Sequence, residues 1–260
     1  MENIHTTATI HPKTIIGKDV TIGPYSWINE HVIIEDSCQI GSHVVLLPGT
    51  HLGKECKVLH HAVLGEIPQD LKFGGESTAV EIGDRTVIRE FVTINRGTKA
   101  HWKTVVGSDC FIMAYVHIAH DCTVGNNVII ANAVNLSGHV VIEDWAIVGG
   151  MVGVHQFVKI GQHCFIGGHY RVSKDIPPYI IAAGEPIAYH GLNTTGLKRR
   201  GFTSETIRDI KHTCQLIFRS DYNVSEAVKK IEENGDLIPE VQNLVKFIKN
   251  SERGIIQGIR

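Results

Sequence analysis

The sequence predicts a mainly β protein, a parallel β-helix of six-residue repeats followed by a C-terminal α-helical domain. The first reason is a period of six: 25 aliphatic residues fall on one lattice that runs from Ile10 to Leu64, from Ile82 to Ile94 and from Val106 to Val172. A glycine often follows the lattice residue, as a tight corner requires, and a small or β-branched residue often stands two positions before it. One short strand and one turn per repeat match the rungs of a β-helix.

The end of the lattice sets the domain boundary. We predict the β-helix over residues 1–189 and the α-helical domain over residues 190–260, where apolar residues recur at intervals of three and four. Within the second part, Pro239 is predicted to begin one helix and Ser225 to cap another.

The lattice is interrupted twice, at residues 66–80 and 96–104, and both segments are predicted to be loops that leave the coil. Long loops in compact domains are usually functional. The first loop contains Gln69, Asp70 and Lys72, which are therefore candidate binding residues. An incidental ion pair between Asp70 and Lys72 on a mobile loop is the alternative interpretation.

The charge balance of the chain argues against nucleic acid as a partner. The 25 basic side chains nearly balance the 27 acidic ones, so no strong field points to nucleic acid. Residues 1–186 carry 13 basic and 18 acidic side chains, net −5, whereas residues 187–260 carry 12 and 9, net +3.

The first residues lack a signal-peptide pattern, and no run approaches the roughly 20 apolar residues of a membrane span. We predict a cytoplasmic protein that is not an integral membrane protein.

The cysteines follow the lattice. Five of the six stand two positions before a lattice residue, at the small inward position: Cys38, Cys56, Cys110, Cys122 and Cys164. They are predicted to be reduced core thiols. Cys122 therefore points inward and is not a nucleophile for the neighbouring histidines.

The stretch "AYVHIAHDCTVGNN" concentrates His117, His120 and Asp121 at one turn. His120 can act as a general base near neutral pH, and Asp121 can hold its ring in one tautomer. Gly138 lies three repeats further on, which is one coil away, and its N–H is a candidate oxyanion donor.

Two other interpretations of this histidine cluster stay open. The histidines can be solvated corner residues, since loops accept polar side chains anywhere. A zinc site is the second alternative, although His117 and His120 are only three positions apart with Asp121 adjacent. No metal is predicted.

Several motifs, taken together and in order, resemble the UDP-N-acetylglucosamine O-acyltransferase family over almost the whole chain: "GEIPQDLKFGGE", "VEIGDRTVIREFVTINRGT", "HIAHDCTVGN", "GGMVGVHQF", "DIPPY" and "GLKRRGF". The resemblance implies a left-handed β-helix with three repeats per coil. It also implies transfer of a 3-hydroxyacyl chain from acyl carrier protein to the glucosamine 3-hydroxyl of UDP-GlcNAc, the first step of lipid A biosynthesis. No organic cofactor is expected, because phosphopantetheine arrives on the carrier protein.

The resemblance also implies roles for individual residues. His120 would be the base, Asp121 its support and Gly138 the oxyanion donor. The nucleotide-sugar and acyl site, between two subunits of a homotrimer, would be lined by Asp70, Lys72, His117, His139, His155, Gln156, Asn193 and Arg200. Arg199 and Arg200 would meet the phosphates or the acidic carrier protein.

The candidate acyl pocket departs from the family pattern. Pro186 stands where several relatives have a histidine, and His169 stands where some have a small residue. Gly168 removes one possible obstruction, which favours a long acyl chain.

Other functions remain as alternatives. The acceptor can be a 3-amino analogue of the UDP-sugar. The later N-acyltransferase of the same pathway is disfavoured because its uridine-binding domain precedes the helix, whereas this lattice already runs at Ile10. The motifs "QDLK" and "GLKRRGF" argue against a coenzyme A-dependent acyltransferase. The chain can also be a non-catalytic β-helix binding module, whose activity would not change on loss of His120.

Overall fold

The computed structural model describes residues 3–233 and 235–258. Its strands are β1 (Asn3–Ile4), β2 (Thr9–Ile10), β3 (Ile15–Ile16), β4 (Thr21–Ile22), β5 (Trp27–Ile28), β6 (Ile33–Ile34), β7 (Gln39–Ile40), β8 (Val45–Leu46), β9 (Thr50–Leu52), β10 (Lys57–Val58), β11 (Val63–Glu66), β12 (Ala79–Ile82), β13 (Val87–Ile88), β14 (Thr93–Asn95), β15 (Lys103–Val106), β16 (Phe111–Ile112), β17 (His117–Ile118), β18 (Thr123–Val124), β19 (Ile129–Ile130), β20 (Asn135–Leu136), β21 (Val141–Ile142), β22 (Ile147–Val148), β23 (Gly153–Val154), β24 (Lys159–Ile160), β25 (Phe165–Ile166), β26 (Arg171–Val172), β27 (Ile180–Ala183), β28 (Ala188–Leu192) and β29 (Gln257–Gly258). The helices are α1 (Thr194–Arg199), α2 (Ser204–Arg219), α3 (Val224–Glu233) and α4 (Pro239–Lys249).

The strands form the three walls of a left-handed parallel β-helix, which confirms the predicted fold class. Sheet A begins with β1, β4 and β7, sheet B with β2, β5 and β8, and sheet C with β3, β6 and β9. Within the coils, each strand pairs in parallel with the strand three repeats further along the chain, as Ile118 does with Leu136. These lattice residues are fully buried, and so is Cys122 at the small inward position. The predicted inward direction of the lattice and of its cysteines is confirmed.

The corners use glycine for a reason other than the predicted one. The left-handed backbone falls on the third residue after the lattice position, as at Asp121 (φ 60°) and His139 (φ 61°). The glycine directly after the lattice residue instead allows two coils to approach closely. A Cβ on Gly125 would lie 2.8 Å from the backbone nitrogen of Asp144 in the next coil.

Turns that lead from sheet B to sheet C lie along one edge of the prism, here called the B–C edge, and the A–B and C–A edges are defined in the same way. Both predicted loops leave the coil at the B–C edge, over residues 67–78 and 96–102. They are shorter than predicted because β12 and β15, which follow them, begin early and pair along four residues. The B–C edge also carries residues 119–122, 137–140 and 155–158.

The chain leaves the β-helix through an antiparallel hairpin of β27 and β28. The predicted boundary at residue 190 falls inside β28, so the helices begin only at Thr194. Helix α4 begins at Pro239 as predicted, but the predicted cap of α3 is wrong. Asn223 caps α3: its Oδ1 accepts from the Glu226 N–H, and its own N–H donates to Glu226 Oε2, each at 3.0 Å. Within residues 3–233 and 235–258, no helix is both long and apolar enough to span a bilayer.

Candidate active site

His120 and Asp121 form a buried hydrogen-bonded pair on the B–C edge. The distance from His120 Nδ1 to Asp121 Oδ2 is 2.8 Å, and both residues are buried. They are consecutive, but the left-handed backbone at Asp121 turns its side chain back towards the His120 ring. The predicted pairing of base and supporting carboxylate is therefore present in the folded chain.

Asp121 is saturated with hydrogen-bond donors. Its Oδ1 accepts from the N–H groups of Thr98 at 2.9 Å and His101 at 3.2 Å. Its Oδ2 accepts from the Thr98 hydroxyl at 2.7 Å and from His120. Burial alone would raise the pKa of the Asp121 carboxyl, but the hydrogen bonds from His120 and Thr98 outweigh burial and lower this pKa. The ionised carboxylate can only accept, so His120 Nδ1 carries the proton and Nε2 is left as the basic nitrogen.

Gly138 lies directly against the His120 ring in the next coil. A Cβ at this position would stand 2.6 Å from His120 Cε1 and 2.7 Å from Nε2, so any side chain here would displace the His120 ring. Across the described ranges 3–233 and 235–258, the Gly138 N–H donates to no protein acceptor. In several equivalent turns the corresponding N–H donates to a side chain, as the Asn126 N–H does to Asp144 Oδ1 at 2.7 Å. A free N–H beside a basic ring nitrogen is the arrangement that an oxyanion donor requires.

Two further histidines surround this pair. His139 Nε2 lies 3.8 Å from Asp121 Oδ2, and the His139 ring meets the His120 ring edge-on with centroids 5.2 Å apart. Burial lowers the pKa of His139, and the nearby carboxylate of Asp121 opposes that effect. His117 projects outward from β17, where its Nδ1 lies 2.8 Å from the Thr93 hydroxyl, and burial lowers its pKa. Both side chains therefore favour the neutral imidazole.

His120, Asp121 and His139 are also the one group in residues 3–233 and 235–258 whose donor atoms lie close enough to hold a metal ion, all within 4.8 Å of one another. A metal on Asp121 Oδ2 would have to displace a donor already bound there. Cys122 is unsuited to be a ligand or a nucleophile, because burial raises the pKa of its thiol to about 12.

Comparisons with known proteins agree along the whole chain. A family model described as "Udp N-acetylglucosamine O-acyltransferase; Domain 2" matches residues 175–256, and two hexapeptide-repeat models match residues 31–59 and 103–138. The acyl-[acyl-carrier-protein]–UDP-N-acetylglucosamine O-acyltransferase of Thiobacillus denitrificans is 50% identical over 258 residues, which cover 99% of this chain and 100% of that protein. The chain belongs to the UDP-N-acetylglucosamine O-acyltransferase family.

Solved structures of the family have the same fold. The UDP-N-acetylglucosamine acyltransferase of Bacteroides fragilis superposes with a TM-score of 0.95 at 45% identity, covering 97% of this chain and 99% of that one. The Francisella novicida UDP-N-acetylglucosamine acyltransferase also gives 0.95, at 37% identity, and covers 98% and 94%. The resemblance found in the sequence motifs is confirmed.

Five more of the predicted site residues of this family member share the B–C edge with His120. They are Gln69, Asp70, Lys72, His155 and Gln156. Asp70 Oδ1 accepts from the Lys72 N–H at 2.9 Å, and the side chains of Asp70 and Lys72 form no ion pair among the described residues. Asp70 is close enough to His139 for its charge to act on the pKa of that ring. The first loop therefore reaches the edge that carries His120.

Three predicted site residues of this acyltransferase-family chain lie on a different edge. Asn193 caps α1 and donates from Nδ2 to the His163 carbonyl at 2.9 Å, and His163 belongs to the C–A edge. The Arg200 guanidinium lies 3.3 Å from His163 Nδ1 and stacks over Trp145 at 5.2 Å. Arg199 is exposed in the last turn of α1. The prism thus separates these residues from His120 of the same chain.

The candidate acyl-pocket residues of the family occupy a third region. Gly168 and His169 lie on the A–B edge, and a Cβ on Gly168 would be 3.1 Å from the Gly150 carbonyl oxygen. Close packing against Gly150 is therefore a second reason for glycine at position 168. Pro186 lines a cavity of about 670 Å³ beside the C-terminal strand, together with Arg171, Lys174 and His190.

Sequence reasoning missed the residues that hold Asp121. Thr98 and His101 belong to the second loop, and Thr104 Oγ1 accepts from the Asp121 N–H at 2.9 Å. The interruption of the lattice at this loop was the available signal, but it indicated no particular residue.

Proposed function

We propose that this chain transfers a 3-hydroxyacyl group from acyl carrier protein to the glucosamine 3-hydroxyl of UDP-GlcNAc, the first reaction of lipid A biosynthesis. One observation carries the proposal: His120 pairs through Nδ1 with Asp121, so its Nε2 lies beside Gly138, whose N–H has no protein acceptor among residues 3–233 and 235–258, in a chain of the UDP-N-acetylglucosamine O-acyltransferase family. The curated relatives are named for this donor and this acceptor.

In the proposed reaction, His120 Nε2 removes the proton of the sugar hydroxyl as that oxygen attacks the thioester carbonyl carbon. Asp121 stabilises the imidazolium that forms, because its carboxylate accepts from Nδ1 at 2.8 Å. The tetrahedral intermediate then expels the phosphopantetheine thiolate, which takes the proton back from Nε2. A base of this kind contributes roughly 10²–10⁴-fold to the rate.

The negative charge on the carbonyl oxygen needs a donor that forms no bond before the reaction. The Gly138 N–H meets this requirement, since it has no protein acceptor among residues 3–233 and 235–258. Loss of one such donor costs on the order of 3 kcal/mol in enzymes that use an oxyanion hole.

We propose that the complete site forms between subunits of a homotrimer. Within one chain, His120 lies on the B–C edge while Asn193, Arg199 and Arg200 lie near the C–A edge. Next to the C–A edge, sheet A presents an outward apolar row in register, formed by Val87, Phe111, Ile129, Ile147 and Phe165. A second copy that covered this row would bring its own B–C edge towards Arg200.

The remaining assignments follow from this arrangement. Asp70, Lys72, His117, His139, His155 and Gln156, with Gln69, would line the sugar-nucleotide side, and Arg199 and Arg200 would meet phosphates. Gly168, His169 and Pro186 would border the acyl chain, for which we propose a long chain. We propose that the reaction uses neither metal nor organic cofactor and takes place in the cytoplasm.

The test is mass-spectrometric detection of acylated UDP-GlcNAc from purified protein, UDP-GlcNAc and carrier proteins charged with short and long 3-hydroxyacyl chains. His120→Ala should lower the rate at least a hundredfold. His51→Ala, which alters a half-buried histidine paired with Glu35 on sheet C, is the matched control and should lower it less than threefold.

The outcomes separate the alternatives. Product that is unaffected by His120→Ala would keep the reaction and refute the mechanism. Product only with the 3-amino acceptor would change the substrate, and none with any donor or acceptor would favour a binding module. A clear short-chain optimum would refute the acyl-length proposal, and metal analysis of active protein tests the absence of a metal.

A further inference from the structure

The second loop, residues 96–102, packs its backbone and one hydroxyl onto the carboxylate of Asp121. Thr98 supplies two of the four hydrogen bonds that Asp121 accepts, one from its N–H at 2.9 Å and one from its hydroxyl at 2.7 Å. His101 supplies a third from its N–H at 3.2 Å. Thr98 is buried, so water does not compete freely for these bonds.

The direction of the Thr98 hydroxyl is fixed. Its oxygen accepts from the Ala100 N–H at 3.2 Å, so its single proton is directed to Asp121 Oδ2. That oxygen is the one that also accepts from His120 Nδ1. Thr98 and His120 therefore donate to the same atom from two sides.

We infer that Thr98 is a positioning residue, which acts through Asp121 to hold His120 in the tautomer and orientation that leave Nε2 basic. The inference rests on the proposed role of His120 as the base. It assigns a function to the second loop, whose own backbone is locked in place. A Cβ on Gly97 would lie 2.4 Å from the backbone nitrogen of Lys103, and Trp102 donates to the Thr98 carbonyl at 2.7 Å.

Removing the hydroxyl has a consequence for charge as well as for geometry. Oδ2 would keep only the His120 donor, so more of the carboxylate charge would act on the imidazole and favour its protonated form. The other titratable groups around His120 and its neighbour His139 are His117, His101 and Asp70, and none of these groups hydrogen-bonds the Thr98 hydroxyl in the described chain. The protonation of His120 should therefore shift to higher pH in Thr98→Val.

The experiment compares Thr98→Val, Thr98→Ser and Thr86→Val as full-length proteins. Thr86 is the matched control, because its buried hydroxyl also donates one bond, to the Gly107 carbonyl at 2.7 Å, and accepts one, from the Cys110 N–H at 3.1 Å. Thr86 lies on the C–A edge, away from Asp121. Any general loss of stability from such a change appears in both valine variants.

We expect kcat of Thr98→Val to fall roughly tenfold with KM little changed, and the acidic limb of kcat/KM to move up by about half a pH unit or more. Thr98→Ser keeps the hydroxyl and should stay within about threefold of the parent. Thr86→Val should show no shift of the limb. A Thr98→Val profile that matches the parent, or that matches Thr86→Val, would overturn the inference.

A second readout does not depend on turnover. Diethylpyrocarbonate acylates only the neutral imidazole, so the pH dependence of His120 modification, followed by peptide mass spectrometry, reports its protonation directly. The inference is supported if the midpoint pH of His120 modification rises in Thr98→Val but not in Thr86→Val. This holds even if the parent transfers no acyl group, in which case only the proposed function fails. An unchanged midpoint contradicts it.

Discussion

Replacing Gly138 with alanine tests the proposed base and its neighbour in one step, because the new methyl group needs the space that His120 occupies. Its Cβ would stand 2.6 Å from Cε1 and 2.7 Å from Nε2 of the ring. Carbon atoms in contact normally lie about 3.5–4.0 Å apart, so the ring must move by about 1 Å. Misplacement of a reacting group by about 1 Å costs on the order of a hundredfold in rate. The alanine N–H remains, so this loss comes from the displaced base.

The assay is the initial rate of acyl-UDP-GlcNAc formation, with thermal unfolding measured on the same sample. Gly153→Ala is the matched control, since a Cβ at Gly153 would meet no atom within 4 Å. It should keep the rate within about threefold, as surface substitutions without a steric conflict usually do. Gly138→Ala that unfolds like the parent and keeps more than a third of its rate would refute the placement of His120 as the base.

Three further predictions concern other parts of the chain. Burial and the charge of Arg200 lower the pKa of His163 to about 4, so the stabilisation from its neutral form is full above about pH 6.5 and is lost as the pH falls towards 4. His163→Gln should remove up to about 2 kcal/mol of the stability difference between pH 7 and pH 5, measured by denaturant unfolding, and an unchanged pH dependence would contradict the lowered pKa. All six thiols are buried and should fail to react with Ellman's reagent at pH 8 until the protein is unfolded, whereas rapid reaction of Cys122 would contradict its inward direction. Ile129→Glu, in the middle of the outward row of sheet A, should convert the proposed trimer to monomers in sedimentation experiments, and an unchanged sedimentation coefficient would refute that interface.

The core could be predicted from the sequence because each lattice position depends only on the local geometry of a short strand and a turn. Ile118 and Leu136 are buried, paired and three repeats apart, as the period of six requires. The corners were predicted less well. Glycine was assigned to tight backbone conformations, but Asp121 and His139 adopt the left-handed conformation, and Gly125 serves close packing instead.

The hydrogen-bonded pair that we propose as base and support could be predicted from the sequence for the same reason. His120 and Asp121 are adjacent, and the interval of three repeats, which is one full coil, places Gly138 against them. Thr98 was not accessible, because it reaches Asp121 from a loop that leaves the lattice. Once a segment leaves a repeat, its path depends on long-range contacts that periodicity does not encode.

The position of the site follows from what a β-helix can change without losing its core. Inward positions are closed to polar chemistry, because each one packs against the coils above and below. An edge can accept an insertion, because the strand that follows it still pairs with the neighbouring coil. After the two loops, β12 pairs with β9 and β15 pairs with β12. Both loops leave at the B–C edge, and the second loop directs the Thr98 hydroxyl and the N–H groups of Thr98 and His101 to Asp121, the one buried carboxylate of that edge among the residues the structure describes. A second layer of chain that excludes water from an edge of a solenoid creates conditions for catalysis, and the second loop provides that layer over the proposed base of this protein. Shortening this loop by deletion of Lys99 to His101 should therefore abolish acyl transfer while the melting of the β-helix stays cooperative.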